Sequence, residues 1–147
     1  SKLVILPYRQ YPVAAEGDPL LFYYLPIIGS MYRRRVEFCL SECNGGSKVL
    51  EVGFGSGITF LNLNDLYSEI YGLDLEASTQ EVSDVFNKRS IKTHLKKGNI
   101  LAMPYENNFF DTVLLISILE HLKPEEQITA FKEIKAPAKS SGGSGSR

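Results

Sequence analysis

The chain has 147 residues, the size of one ordinary domain that can bury its apolar side chains in a single core. Hydrophobic residues make up 44% of it, charged residues 22%, and the formal net charge of −1 provides no global basic field that would favour nucleic acid as a partner. No run approaches the roughly 18 consecutive apolar residues of a membrane span, and Pro7 and nearby charges interrupt the start before a secretory signal develops.

The first segment, residues 1–31, is rich in proline and tyrosine and contains the apolar block PLLFYYLPIIGSM. Asp18 followed by Pro19 is typical of an N-cap and a first helical position, which predicts a short helix to about Leu25. We expect the segment to form a helical lid across a ligand cleft, with the arginines of YRRR solvated. Contact of this basic and apolar surface with a membrane is the alternative. The tyrosines that are candidates for lining an acceptor pocket are Tyr8, Tyr11, Tyr23 and Tyr24.

The next segment, MYRRRVEFCLSEC, has apolar residues at helical spacing and predicts a helix that NGG ends. Cys39 and Cys43 lie four residues apart in it, a spacing that does not favour a disulfide. A C-x3-C pair without nearby histidine is also a poor metal site. We interpret both cysteines as small core residues in a reducing, cytoplasmic setting, and expect no metal.

Strands and helices alternate along the rest of the chain. The strand predictions are KVLEV (48–52), IYGLD (70–74), part of THLKKGN (93–99) and DTVLLISIL (111–119), whose unbroken apolar run is typical of a parallel strand covered on both faces. ITFLNLNDL (58–66) predicts the start of one helix, and Ser78 with Glu81 resembles the capping box of the next. Pro124 begins a last helix with predicted buried positions Ile128, Phe131 and Ile134.

This order predicts an α/β fold, a doubly wound parallel sheet of about four strands. We place the main domain at residues 32–135. Residues 136–147, APAKSSGGSGSR, have the composition of a flexible tail or linker.

VLEVGFGSG places three alternating glycines directly after the first strand. Ligands of open parallel sheets bind at the carboxyl ends of the strands, where Gly53, Gly55 and Gly57 would let a ligand approach the backbone. A tight turn without a ligand is the alternative, but three glycines exceed what we expect such a turn to need. Ile58 replaces the last glycine of a dinucleotide fingerprint, which argues against a nucleotide-binding oxidoreductase. Asp74 ends the second strand, where a carboxylate can accept hydrogen bonds from both hydroxyls of a ribose.

VLEVGFGSG, IYGLDLE and KKGNILAMPYENNFFDTVLLISILEHL together resemble the successive motifs of class I S-adenosylmethionine-dependent methyltransferases. The resemblance covers roughly residues 32–135 and implies a Rossmann-like domain with S-adenosyl-L-methionine as cofactor and S-adenosyl-L-homocysteine as product. It implies that Glu51 lies near the amino group of the cofactor, that Gly53, Gly55 and Gly57 lie beneath its methionine and ribose, and that Asp74 binds the ribose hydroxyls. It also implies that Leu75, Asn99 and Ile100 contact the adenine. Ser117 and Ile118 would line the other side of the cofactor.

Two positions depart from the family's pattern. Asn99 stands where aspartate is common, which keeps an oxygen acceptor but removes its charge. Phe54 stands where a small residue is common, and it would narrow the loop or add an apolar wall. His121, after the fourth strand, is a weak candidate for a catalytic base with Glu120 nearby, and a capping or surface role is the preferred interpretation.

The family's fold usually continues with further strands beyond the point where this pattern stops, so the fourth strand would be an exposed sheet edge. We expect self-association of two chains through that edge, or a truncated chain whose partner piece is missing. The expected function is transfer of a methyl group to a small or apolar acceptor. The alternative is a non-catalytic module that binds the cofactor or only self-associates.

Overall fold

The computed structural model describes residues 2–14, 17–116 and 123–135. Within them, four strands form one parallel sheet in the order β3-β2-β1-β4. The strands are β1 (Gly46–Val52), β2 (Tyr67–Asp74), β3 (Thr93–Lys97) and β4 (Thr112–Leu114). The predicted four-stranded parallel sheet of an α/β fold is confirmed.

The helices of the described residues connect and cover these strands. They are α1 (Ile28–Ser41), α2 (Phe60–Leu63), α3 (Thr79–Asn87) and α4 (Pro124–Lys135), with short 3-10 helices at Tyr8–Gln10, Leu20–Tyr24 and Ile100–Ala102. The predicted cap of α3 is present, because the Ser78 side chain accepts a hydrogen bond from the Glu81 backbone N–H at 3.4 Å.

Two hydrophobic cores lie on the two faces of the sheet. On one face, Val49 and Ile70 pack with Phe60 and Phe86, and on the other Leu50 and Leu73 pack with Ile100 and Phe110. Consecutive residues of β1, Val49 and Leu50, are both fully buried because they point to opposite faces. This explains why the central strands are apolar at successive positions.

The helix α1 begins at Ile28, so the predicted domain boundary after residue 31 falls inside it. The short helix predicted after Asp18 and Pro19 is present as a 3-10 helix that ends at Tyr24, close to the predicted end at Leu25. Both cysteines are free and half-buried, and Cys43, which lies beyond the end of the helix, packs against the hydrophobic core.

The helix predicted over ITFLNLNDL has only one turn, α2. Beyond Leu63 the backbone forms turns whose hydrogen bonds join residues three apart. Asp65 N–H donates to the Asn62 carbonyl at 3.2 Å, and Leu66 N–H donates to the Leu63 carbonyl at 3.0 Å. Asparagine and aspartate favour turns over helix interiors. The sequence also leaves no room for a longer helix, since β2 starts at Tyr67.

The fourth strand is shorter than the predicted 111–119. At its start, the Asp111 side chain accepts hydrogen bonds from the backbone N–H groups of Ser47 (2.7 Å) and Lys48 (2.9 Å), while Asp111 N–H donates to the Lys48 carbonyl at 2.9 Å. Pairing with β1 ends at Leu114, opposite Glu51, because β1 then runs into the glycine loop.

The prediction that Ile128 is buried was wrong, because this side chain is 60% exposed. In the first turns of α4 the less exposed residues are Glu126 and Gln127, so the helix is rotated relative to the predicted orientation. The side chains of Phe131 and Ile134 lie outside the described part of the structure.

Candidate functional site

The glycine loop after β1 has three residues in the left-handed region, with φ values of 76° at Gly53, 55° at Gly55 and 78° at Gly57. Side chains other than glycine rarely adopt this conformation. The backbone of the turn therefore requires all three glycines, and the expectation that three exceed its needs was wrong. The case for a ligand depends instead on the side chains around the loop.

Asp74 ties the loop to the end of β2. Its Oδ2 accepts a hydrogen bond from Gly55 N–H at 2.8 Å, and its Oδ1 accepts from Glu76 N–H (2.8 Å) and Ala77 N–H (2.9 Å). A carboxylate has about four acceptor positions, so these contacts leave capacity for a further donor. Leu75, the next residue, is 58% exposed at the same strand end.

Glu51 is a buried carboxyl beneath the loop, with only 4% of its surface exposed. Burial raises the pKa of Glu51 from 4.5 to about 8; the hydrogen bond from Thr59 opposes this shift, whereas the negative charge of Asp74 adds to it. The Thr59 hydroxyl donates to Glu51 Oε1. The sequence analysis gave Thr59 no role, although its position eight residues after the acid, just beyond the turn, was a usable signal.

Phe54 does not form a wall of the cleft. Its ring is buried and packs against Phe60, with ring centroids 5.8 Å apart. It also lies against β2 at Gly72, where a Cβ would be 2.6 Å from the Phe54 ring. Phe54 therefore belongs to the core beneath the loop.

Asn99 and Ile100 follow β3, and Gly98 N–H donates to the Asp74 carbonyl at 3.1 Å, which places this segment beside the end of β2. Asn99 is exposed, and its Oδ1 accepts from Leu101 N–H at 2.9 Å, so it caps the short helix that follows. Ile100 is buried in the core. The structure thus brings Asn99 near Asp74, with its oxygen already used locally.

Asp18 is a site residue that sequence reasoning treated only as a helix cap. One carboxyl oxygen does accept from Leu20 N–H at 3.0 Å, but the other accepts from the Ser56 hydroxyl at 2.8 Å. A Cβ on Gly55 would lie 2.9 Å from that second oxygen. Burial raises the pKa of Asp18, and the negative charge of Asp74 contributes in the same direction.

One part of the N-terminal segment lies over the glycine loop. Residues 12–14 and Asp18 enclose a cavity of only ≈ 20 Å³ together with Gly55, Ser56 and the start of α3. Two tyrosines stabilise the segment internally, since Leu6 N–H donates to Tyr11 Oη at 3.1 Å and Tyr24 Oη donates to the Leu6 carbonyl.

The remaining predicted site residues, Ser117, Ile118 and His121, lie outside the described residues. In the part of the chain that the structure describes, no helix is long and apolar enough to cross a membrane.

Comparison with known proteins identifies the family. A family model for a methyltransferase domain matches residues 50–143. The uncharacterized protein MJ0638 of Methanocaldococcus jannaschii is 27% identical over 126 residues, which are 86% of this chain and 47% of MJ0638. The chain therefore spans about half the length of this curated relative.

Two solved structures share the fold. A SAM-dependent methyltransferase from Aquifex aeolicus matches with a TM-score of 0.61 and 18% identity, over 84% of this chain and 69% of that one. DhpI, solved as a DhpI-SAM-HEP complex, matches with a TM-score of 0.62 and 17% identity, over 82% of this chain and 54% of that one. With the family model covering more than half of the sequence, the chain belongs to the class I S-adenosylmethionine-dependent methyltransferase family.

Proposed function

We propose that the chain binds S-adenosylmethionine at the carboxyl ends of β1 and β2 and takes part in transferring its methyl group to a small or apolar acceptor, with S-adenosylhomocysteine as product. The observation that carries this proposal is the hydrogen bond between Asp74 and Gly55 N–H. It joins an acid and a glycine loop at neighbouring ends of parallel strands, where α/β folds bind nucleosides.

The residues at this edge fit the chemistry of the cofactor. The carboxylate of Asp74 suits ribose hydroxyls, and the backbone at Gly55 is shielded by the Asp18 carboxyl rather than by other backbone. The cavity at the glycine loop is too small for the cofactor in this structure, because its volume of ≈ 20 Å³ is far below the ~300–1,000 Å³ of small-molecule sites. Cofactor entry therefore requires Asp18 and residues 12–14 to move away from the loop.

The cofactor supplies a methyl group that its sulfonium already activates, so the protein mainly has to position the reactants and exclude water. Asp74 would hold the ribose hydroxyls. Glu51 would lie near the ammonium group, whose positive charge lowers the pKa of a buried carboxyl and favours its ionised form. The N-terminal segment would close again over the bound molecules and exclude water.

Calorimetric titration with S-adenosylhomocysteine tests the proposal. We expect binding to the wild-type chain and a loss of at least about tenfold in affinity for Asp74→Ala, since charge-assisted hydrogen bonds to the ribose are lost. Asp65→Ala is the matched control, because Asp65 is an exposed aspartate away from the loop. Absence of binding, or equal affinities of the three proteins, would sink the cofactor assignment.

A non-catalytic binding module is the second candidate, and one observation favours it. The described residues include the strand ends proposed to hold the cofactor, whereas the chain spans only 47% of MJ0638, so groups that bind an acceptor could lie in the part of that relative which this chain does not match. Binding of S-adenosylhomocysteine without methyl transfer from labelled S-adenosylmethionine to apolar acceptors would support this candidate.

A further inference from the structure

A second and larger concave site lies in the N-terminal part of the molecule. It is a groove of ≈ 560 Å³ between residues 2–3, residues 23–26 and the first half of α1. This volume is within the ~300–1,000 Å³ that small-molecule sites occupy. The groove is distinct from the ≈ 20 Å³ cavity at the glycine loop, with which it shares no lining residue.

The walls of the groove are fixed by hydrogen bonds within the protein. Leu3 N–H donates to Glu37 Oε2 at 2.7 Å, and Val4 N–H donates to Asn62 Oδ1 at 3.1 Å. These bonds hold the N-terminal residues against α1 and α2. A wall that exists without a ligand lowers the entropic cost of binding one.

Positive charge predominates in the groove, with Lys2, Arg33 and Arg34 opposed only by Glu37. The one acid is already engaged by the Leu3 backbone. Neither arginine has a carboxylate partner among the residues that the structure describes. The lining therefore carries uncompensated positive charge.

The two arginines differ in how they are held. Arg33 Nε donates to the Tyr23 carbonyl at 2.8 Å, and its guanidinium carbon lies 6.0 Å from the centroid of the Tyr24 ring. This orients Arg33 and leaves its two terminal amino groups for another acceptor. Arg34 is exposed one residue further along α1. A guanidinium group matches the geometry of a carboxylate or phosphate, to which it can donate two parallel hydrogen bonds.

We propose that this groove binds a small organic anion, whose carboxylate or phosphate is held by Arg33 and Arg34 and whose apolar or aromatic body lies against Tyr24 and Pro26. The site is independent of the proposed methyl transfer, because no residue of the glycine loop contributes to it.

Calorimetric titrations of the full chain with phenyl phosphate and phenylacetate test the site, with phenol as a smaller neutral molecule that keeps the aromatic ring. We expect at least one anion to bind, and phenol to bind at least about tenfold more weakly. The stronger of the two anions identifies the preferred head group. Arg34→Gln should weaken anion binding by about tenfold or more without loss of folding, since Arg34 is exposed, and Arg33→Gln should have a similar or larger effect.

Arg9→Gln is the matched control, because it removes the same charge from an exposed position outside the groove. Its affinity for the anions should equal that of the wild type. The proposal would be overturned by no detectable binding of either anion, by equal binding of phenol, or by equal losses in Arg34→Gln and Arg9→Gln, which would indicate only a general charge effect.

Discussion

Glu51 is the buried ionisable residue beneath the glycine loop, and its protonation state sets the charge there. It is buried at the end of β1, with the Thr59 hydroxyl as its hydrogen-bond donor and the acidic Asp74 nearby. Burial raises its pKa to about 8, so the folded protein holds this group mainly in its neutral form at pH 7. The closed loop is therefore built around a neutral acid.

This shift predicts how stability depends on pH. Because the folded-state pKa of Glu51 is above its ordinary value of 4.5, its contribution is fully present below that value and is lost as the pH rises towards about 8. We expect the free energy of unfolding of the wild type, relative to Glu51→Gln, to fall by up to about 1.4 kcal/mol per pH unit in this window. Urea unfolding of both proteins between about pH 5 and pH 8 measures the difference. Parallel pH profiles of the two proteins would refute the shift.

At the residue scale, the candidate site residues that could be named from the sequence are those that belong to a motif of fixed spacing. The motif places Glu51 and the three glycines at the end of the first strand, and Asp74 at the end of the second. Asp18 could not be predicted, because its partner Ser56 is 38 residues away and only the folded chain brings them together.

At the scale of elements, the N-terminal segment decides whether the glycine loop is accessible. Asp18 covers Gly55 and bonds to Ser56, and residues 12–14 complete the cover. A ligand that binds only the open form has its apparent affinity reduced by the fraction of molecules that are open. The segment therefore opposes cofactor binding in the described arrangement.

Removal of the hydrogen bond between Asp18 and Ser56 should strengthen binding of S-adenosylhomocysteine at the glycine loop. We expect Asp18→Ala to raise the affinity for S-adenosylhomocysteine by about two- to tenfold, the range that corresponds to loss of one ordinary hydrogen bond from the closed form. Ser56→Ala, which removes the same bond from the other side, should act in the same direction. Weaker binding by Asp18→Ala in calorimetry would show instead that Asp18 contacts the cofactor.

Prediction of the elements succeeded where local chemistry and tertiary packing agree. Ser78 and Glu81 predicted where α3 begins, and the structure buries Val82 and Phe86 of this helix. The lengths of α2 and β4 depend on where neighbouring strands begin and end, and the orientation of α4 depends on the surface it meets. A periodic pattern in one segment does not contain this information.

At the scale of the whole molecule, the open edge of the sheet is the main feature. β4 pairs with β1, and no other described strand pairs with its second edge. Unpaired strand edges favour association with further strands. The chain also spans about half of MJ0638, so in a longer protein the same edge would be available to further strands.

We expect the chain by itself to self-associate through β4, because pairing of two edges satisfies their free backbone groups. Sedimentation over a wide concentration range should show a dimer that dissociates on dilution. Val113→Lys, which places a charge in the edge strand, should shift the equilibrium to the monomer; because Val113 also packs against the core of Leu50 and Phe110, circular dichroism and thermal unfolding have to establish that the variant is folded. A wild type that stays monomeric at every concentration would contradict this expectation.

The central claim is that the cofactor binds at the carboxyl ends of β1 and β2. Titration of the nitrogen-15-labelled chain with S-adenosylhomocysteine, followed by two-dimensional NMR of the backbone amides, tests it most directly. We predict saturable shifts of the Gly53, Gly55, Gly57 and Ala77 amides, since these groups line the loop or bond to Asp74. An unchanged spectrum, or shifts confined to residues outside these strand ends, would contradict the claim.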